Sequence, residues 1–357
     1  MTNETNECNK IEIAFLEKKD AWQLHSRFFP SKVGGKPAWL DLENLPHPRD
    51  LLCNQCADPM VFLCQIYAPY EESEDCFHRT LFIFLCRNGS CCKIGTTDNI
   101  AVFRCQLPQK NKYYSFKPYA EDENEQFAIQ QWTKMCKTCG NKAPSHCAKC
   151  KNVYYCSRKH QVLDWQKGHK QELEPGPTDC EYKITNYSVT KSGESVLFEE
   201  WELIDEEDVE ESSTVNFKAE LEKMNSLIKE KKVGTLNNVT DYELDQYTGN
   251  TPKDKVFSKF SKRVSRHPDQ VLRYNKGGEP LWITEPRNLE QIPKCQYCNG
   301  ERHFEYQIMP QLLNFINVGV DVNSIDWGIL AVYTCKNSCN AGPSYKQEYI
   351  IKQDLST

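Results

Sequence analysis

Seven residues between positions 136 and 169 have the types and the spacing of zinc ligands. Cys136 and Cys139, then Cys147 and Cys150, form two C-x2-C pairs, and Cys156, His160 and His169 follow. A C-x2-C turn aims two thiolates at one metal, and an i,i+4 pair on a helix aims two more. Cys156 and His160 have that second spacing, and "SRKHQVLDWQKGHKQEL" reads as a helix capped by Ser157. Two closed tetrahedral sites need eight ligands, so one remains to be found.

The elements that carry further cysteines form an internal repeat. "SKVGGKPAWL" near the start and "RYNKGGEPLWI" near the end share G-G-x-P-x-W. After Gly34 and Gly35 comes the pair Cys53 and Cys56; after Gly277 and Gly278 comes Cys295 and Cys298. A glutamine follows in each copy, Gln65 in "FLCQIYAP" and Gln307 in "FEYQIMPQ". Then "RTLFIFLCRNGSC" matches "GILAVYTCKNSC", and Gln106 of "VFRCQL" matches Gln353 of "YIIKQDL". The apolar runs are short, rich in β-branched and aromatic residues and bounded by turn residues, so both copies read as β-rich. The shared glycines predict a tight turn ahead of a buried Trp39 or Trp282.

Within each copy the C-x2-C can join the later cysteines in a four-thiolate site of zinc-ribbon type. That gives Cys53, Cys56, Cys86 and Cys91 in the first copy, with Cys92 competing for the last place. In the second it gives Cys295, Cys298, Cys335 and Cys339. Cys8, Cys64, Cys76 and Cys105 read as packing or surface residues.

Composition narrows the class. Nineteen cysteines in 357 residues, behind a start ("MTNETNECNK") without basic or apolar leader regions, read as reduced thiolates on zinc in cytoplasm or nucleus. No apolar run is long enough to span a bilayer. The formal charge of -6 argues against general nucleic-acid binding. That charge is uneven: Trp132 to Leu173 carries nine Lys or Arg against two acids, whereas Glu194 to Glu211 carries ten carboxylates and no base. The acidic block reads as a disordered linker whose Glu199, Glu200, Trp201, Glu202, Asp205, Glu206, Glu207 and Asp208 gather a basic partner. "VNFKAELEKMNSLIKEKK" after it has helical spacing. No nucleophile with its base, no phosphate loop and no paired-carboxylate site has usable context, so a binding protein is expected rather than an enzyme.

The order of ligands from Cys136 onward, with "YC", Trp165 and "HK", resembles the MYND zinc finger. In that family the two sites interleave. The resemblance therefore implies Cys136, Cys139, Cys156 and His160 on one zinc, and Cys147, Cys150 and His169 on the other. The family has cysteine at the next i,i+4 position, where this chain has Leu173. Pro175 and Pro177 must end the helix, so a chain turning back through "EPGPTDC" can bring Cys180 to the vacant place. Glu172, Glu174, a water or an empty position are the alternatives; Cys180 is favoured because a thiolate matches the other ligands.

"KVGGKPAWL", "FLCQIYAP", "FHRTLFIFLC", "QLPQKNKYYS", the finger, "QVLRYNKGGEPLW", "FEYQIMPQLLN" and "VYTCKNSC" together resemble the programmed cell death protein 2 family over almost the whole chain. The resemblance implies a mainly β, α+β architecture: a first β-rich repeat at 11–120, a finger at 132–180, an acidic linker and helix at 190–240, and a second repeat at 241–357. It also implies a dedicated chaperone for one small-subunit ribosomal protein with an Arg/Gly-rich N-terminal tail; a monomer is expected. The rival expectations are an adaptor that captures proline-containing peptides of transcriptional co-regulators through its finger, and an RNA-processing factor that uses the basic finger directly.

Overall fold

A computed structural model describes residues 11–122, 127, 129–172, 196–208, 252–285, 292–319 and 324–354. The first repeat contributes β1 (Glu12–Glu17), β2 (Lys32–Val33), β3 (Val61–Tyr67), β4 (His78–Leu85) and β5 (Ile100–Leu107). The finger holds a small hairpin, β6 (Ser145–His146) and β7 (Tyr154–Tyr155), and α1 (Arg158–Asp164). Then come β8 (Trp201–Glu207), α2 (Pro252–Val264), β9 (Leu272–Tyr274), β10 (Arg302–Ile308), β11 (Ile329–Cys335), β12 (Lys346–Gln347) and β13 (Tyr349–Gln353). Among the described residues no helix is long and apolar enough to cross a membrane.

Eleven strands form one sheet in the order β12-β5-β4-β3-β2-β8-β1-β9-β10-β11-β13. Its two ends, β12 and β13, are separated only by Glu348, so the sheet closes on itself. Lys346 and Gln347 pair with β5, and the following residues pair with β11. The result is a barrel made of two repeats (β2 to β5, and β9 to β13) with β8 and β1 between them. The leading strands are exchanged: β1 precedes the first repeat but pairs with β9, and β8 pairs with β2.

The unbroken apolar runs follow from burial on both faces. Leu81, Ile83 and Leu85 of β4 point into the barrel with Leu63, Val102, Leu203, Leu272, Tyr306, Val332 and Ile350. Phe82 and Phe84 point outward into a second core around Trp39. Both repeats carry a register shift at the same place, Phe62/Cys64 and Phe304/Tyr306; such bulges bend the strand as a closed sheet requires.

The repeated landmarks do equivalent work. Gln65 accepts from the Ala38 N–H at 2.9 Å and donates to the Ala38 carbonyl; Gln307 does the same with Leu281. Each glutamine thus ties the G-G-x-P-x-W segment to the barrel wall. Gln353 ties down Ile283 and Thr284, whereas Gln106 instead reaches the Ser338 carbonyl of the other repeat at 2.8 Å. Trp39 is fully buried and Trp282 only half-buried.

The acidic block departs from expectation. Residues 201–207, read from the sequence as part of a disordered linker, are a strand in the barrel wall. Within the block no base is available, but the fold supplies bases from elsewhere. Lys18 pairs with Glu199, Lys32 with Glu200 and Lys19 with Glu202, while Arg273 and Arg263 pair with Asp208. Trp201 lies under the Lys18 ammonium and against Phe315. Glu199, Glu200, Trp201, Glu202 and Asp208 thus have partners within this chain, while Asp205, Glu206 and Glu207 are exposed. The expected helix after the block lies outside the described residues.

Candidate metal centres

Four short loops share one backbone plan. In each, the residue four positions after the first cysteine donates its N–H to that cysteine's carbonyl. Ala57 does so to Cys53, Gly140 to Cys136, Lys151 to Cys147 and Asn299 to Cys295, at 2.8–2.9 Å. All four have positive φ: 58°, 78°, 61° and 58°. Three are not glycine, so the left-handed turn carries a conformational cost that the surrounding structure must sustain. A turn this tight directs both thiolates of a C-x2-C pair to one point.

The complementary cysteines come from strand ends. Cys86 follows β4 and Cys91 closes a short 3-10 turn after it; Cys335 ends β11, and Cys339 follows. Cys53, Cys56, Cys86 and Cys91 form one group whose sulfurs lie within 4.8 Å of one another, and Cys295, Cys298, Cys335 and Cys339 form another. Representative Sγ···Sγ distances are 3.6 Å for Cys56–Cys86, 3.8 Å for Cys295–Cys339 and 3.6 Å for Cys298–Cys335. A tetrahedral zinc with bonds of about 2.3 Å has sulfur–sulfur edges of about 3.8 Å, so both donor sets fit the ion. The Asn88 N–H lies 3.4 Å from the Cys86 sulfur, and the Gly300 N–H lies at the same distance from Cys298. That N–H chiefly draws the Cys298 thiol down to about 7, toward the thiolate that a metal needs. Cys92 points elsewhere, to the Asp326 carbonyl at 2.9 Å. Cys64 and Cys105 are core residues, and burial pushes the Cys105 thiol up to about 11.

The finger brings together Cys136, Cys139, Cys156 and His160 as a third group, and Cys147, Cys150 and His169 as a fourth. Ser157 caps α1 by accepting from the His160 N–H at 3.2 Å, which sets His160 one turn from Cys156. Cys139 and Cys156 are 3.6 Å apart, and the His160 Nδ1 lies 3.1 Å from Cys156. The helix continues as a wider turn, Trp165–His169, broken at Gly168. That break swings His169 Nε2 to 3.5 Å from Cys150. Of the proposed eighth ligands, Glu172 is engaged otherwise: its carboxylate takes the far nitrogen of His169 at 2.9 Å and the Lys137 ammonium at 3.1 Å. That contact orients the ring as an outer carboxylate does in zinc sites. Cys180 and Glu174 lie outside the described residues.

The finger docks on the outer core of the first repeat. Trp39 Nε1 donates to the Gly140 carbonyl at 2.8 Å, Asn141 Nδ2 to the Met60 carbonyl at 3.2 Å, and Lys159 pairs with Asp58. Trp39 thus docks the finger as well as packing in the outer core, whereas the matching Trp282 is only half-buried.

Comparison with known proteins accords with this geometry. Residues 10–121 match the N-terminal domain of programmed cell death protein 2, 254–354 its C-terminal putative domain, and 136–172 the MYND finger, a zinc-binding domain. The chain is 39% identical to "Programmed cell death protein 2" of Rattus norvegicus, over 97% of both chains. It is 28% identical to "Programmed cell death protein 2-like" of Mus musculus, over 88% of this chain and 86% of that one. It is 25% identical to "Probable 20S rRNA accumulation protein 4" of Schizosaccharomyces pombe, over 86% and 87% of the two chains. No solved structure matches.

Proposed function

The chain belongs to the programmed cell death protein 2 family, and on that premise we propose that it is a zinc-dependent binding protein serving small-subunit ribosome biogenesis. Its client is one small-subunit ribosomal protein with an Arg/Gly-rich N-terminal tail, held as a dedicated chaperone holds an unassembled polycation. The observation that carries the reading is the fission-yeast relative, whose name ties it to 20S rRNA accumulation over most of this chain's length. The site chemistry supports a binding role. Among the described residues the clustered titratable groups include metal-type donor sets and buried ion pairs, which suit a scaffold better than a catalyst. Zinc, when bound, ties strand ends and helix turns together; the chain's own contribution is the barrel and its acidic wall. Work in cytoplasm and nucleus as a monomer follows from this reading.

Affinity purification of the intact protein, with and without ribonuclease, tests it. One dominant small-subunit ribosomal protein, recovered in either condition, is the expected result. Recovery of transcriptional co-regulators through the finger would replace the reading with an adaptor role, and recovery that depends on RNA would replace it with direct RNA contact.

A further inference from the structure

The two repeats differ in the barrel wall beside β2. Arg273 pairs with Gln307 and with Ile13, just as Lys32 pairs with Gln65 and with Glu202. Val271 in the second repeat therefore corresponds to Pro30 in the first, and Ala14 of β1 to Leu203 of β8. The Val271 N–H donates to the Ala14 carbonyl at 2.9 Å, and the Val271 carbonyl accepts from the Met309 N–H at 2.9 Å, so the wall is continuous there. Pro30 has no N–H. On that side of β8 the ladder stops at the bond from the Leu203 N–H to the Ser31 carbonyl, and β2 is only two residues long.

The consequence is an opening between β8 and the end of β3. Bonds from β8 to β1 run through alternate residues, as the Asp208 N–H to the Ile11 carbonyl indicates. The Leu203 carbonyl and the N–H and carbonyl of Asp205 therefore face the opening, where no described residue meets them. Behind lies a cavity of about 250 Å³ with apolar walls from Ala14, Ile66, Leu203 and Leu272; Glu12 and Asp205 line it, and no basic residue does.

We propose that this opening receives an extended polypeptide segment bearing a Lys or Arg side chain, which pairs with the Leu203–Asp205 edge and places its aliphatic stem in the cavity and its cation beside Asp205 and Glu12. An exposed strand edge supplies direction and backbone bonds, and a pocket beside it selects alternate side chains. An apolar wall rimmed by carboxylates suits the stem and head of a long basic side chain. The ribosomal-client reading enters only in naming whose segment this is.

The test uses the full-length zinc-loaded protein and a labelled peptide alternating Arg and Val. The peptide should bind, and hydrogen exchange at the Asp205 amide of the wild type should slow on binding. Asp205→Pro, which removes an N–H that the barrel does not use, should weaken binding roughly five- to tenfold, and Asp205→Lys more. Asp205→Asn, which keeps the N–H, should cost less than Asp205→Pro. Absent binding, an unprotected Asp205 amide, or equal affinity for a Glu/Val peptide would overturn the proposal. If the peptide protects Asp205 but wild-type protein recovers no ribosomal protein, the client reading fails and this one stands. If the ribosomal protein is recovered and Asp205 is never protected, the reverse holds.

Discussion

Arg79 of β4 and Glu305 of β10 meet inside the barrel through two parallel contacts of 2.5 and 2.7 Å, with both side chains fully buried. They join the two repeats across the interior. Tyr274 donates a third bond to the carboxylate at 3.0 Å, and Thr334 a fourth. Burial alone would push the Glu305 carboxyl up, but Arg79 and these donors outweigh it and hold the group down at about 2. A carboxyl depressed in the folded state contributes stability above its unfolded value near 4.5, and loses it as pH falls through the folded value. Glu305→Gln should cost about 3–5 kcal/mol at neutral pH, since Arg79 is left buried and unpaired. The gap from wild type should narrow between pH 4.5 and 2, as read by denaturant unfolding across that window.

Metal content gives a second expectation. The intact protein should carry four zinc ions, one in each repeat and two in the finger. Cys335→Ser should remove one of them and lower the thermal midpoint by on the order of 10 °C, because binding free energy in such sites is folding free energy. Elemental analysis beside calorimetry checks both. Cys180→Ala should also remove one ion if that thiolate completes the His169 centre. Glu172→Gln should leave the count unchanged under excess metal but weaken that centre about 10- to 100-fold in a chelator competition.

Trp39→Phe removes the donor to the Gly140 carbonyl while keeping most of the ring. A buried carbonyl left without its partner costs about 1–3 kcal/mol, and the loss should fall on finger docking. Limited proteolysis should cut the segment around residues 119–134 sooner than in wild type. Trp282→Phe, at the matching but half-buried position, should change little.

Gly34 has φ of 68°, and a Cβ there would sit 1.9 Å from the Glu199 carbonyl oxygen. Gly95 has φ of 71° and open space around it. Gly34→Ala should therefore cost roughly 3 kcal/mol or more, by displacing the chain that leads into β8, and Gly95→Ala about 1 kcal/mol for its backbone alone. Paired denaturant curves separate the collision from the backbone effect.

Much of the metal chemistry was legible because it is local. Four C-x2-C pairs announce four turns, and the second cysteines stand at strand ends that apolar runs predict. The duplication was legible because Gln65 and Gln307 are required by the same bond to the segment before the tryptophan. What the sequence did not disclose is long-range. The charge of Glu199 to Asp208 looked unmatched because Lys18, Lys19, Lys32 and Arg273 are far away in the chain. Nothing local says that β1 and β8 change partners, or that one bent segment closes the barrel. The choice between Cys91 and Cys92 depended on which side of a single 3-10 turn faces the cluster.

That bent segment also sets a timetable. Strand β5 has no outer neighbour until Lys346–Gln347 has been made, and β1 waits for Leu272–Tyr274 of β9. At roughly 5–20 residues per second, a nascent chain carries an open, sticky wall of Phe, Ile and Leu for tens of seconds before it can seal. The finger, whose ligands are contiguous, can fold early and lie over the outer face of that wall through Trp39. The chain itself would thus need shelter during its synthesis, and its slowest folding step is expected to be the last contact made.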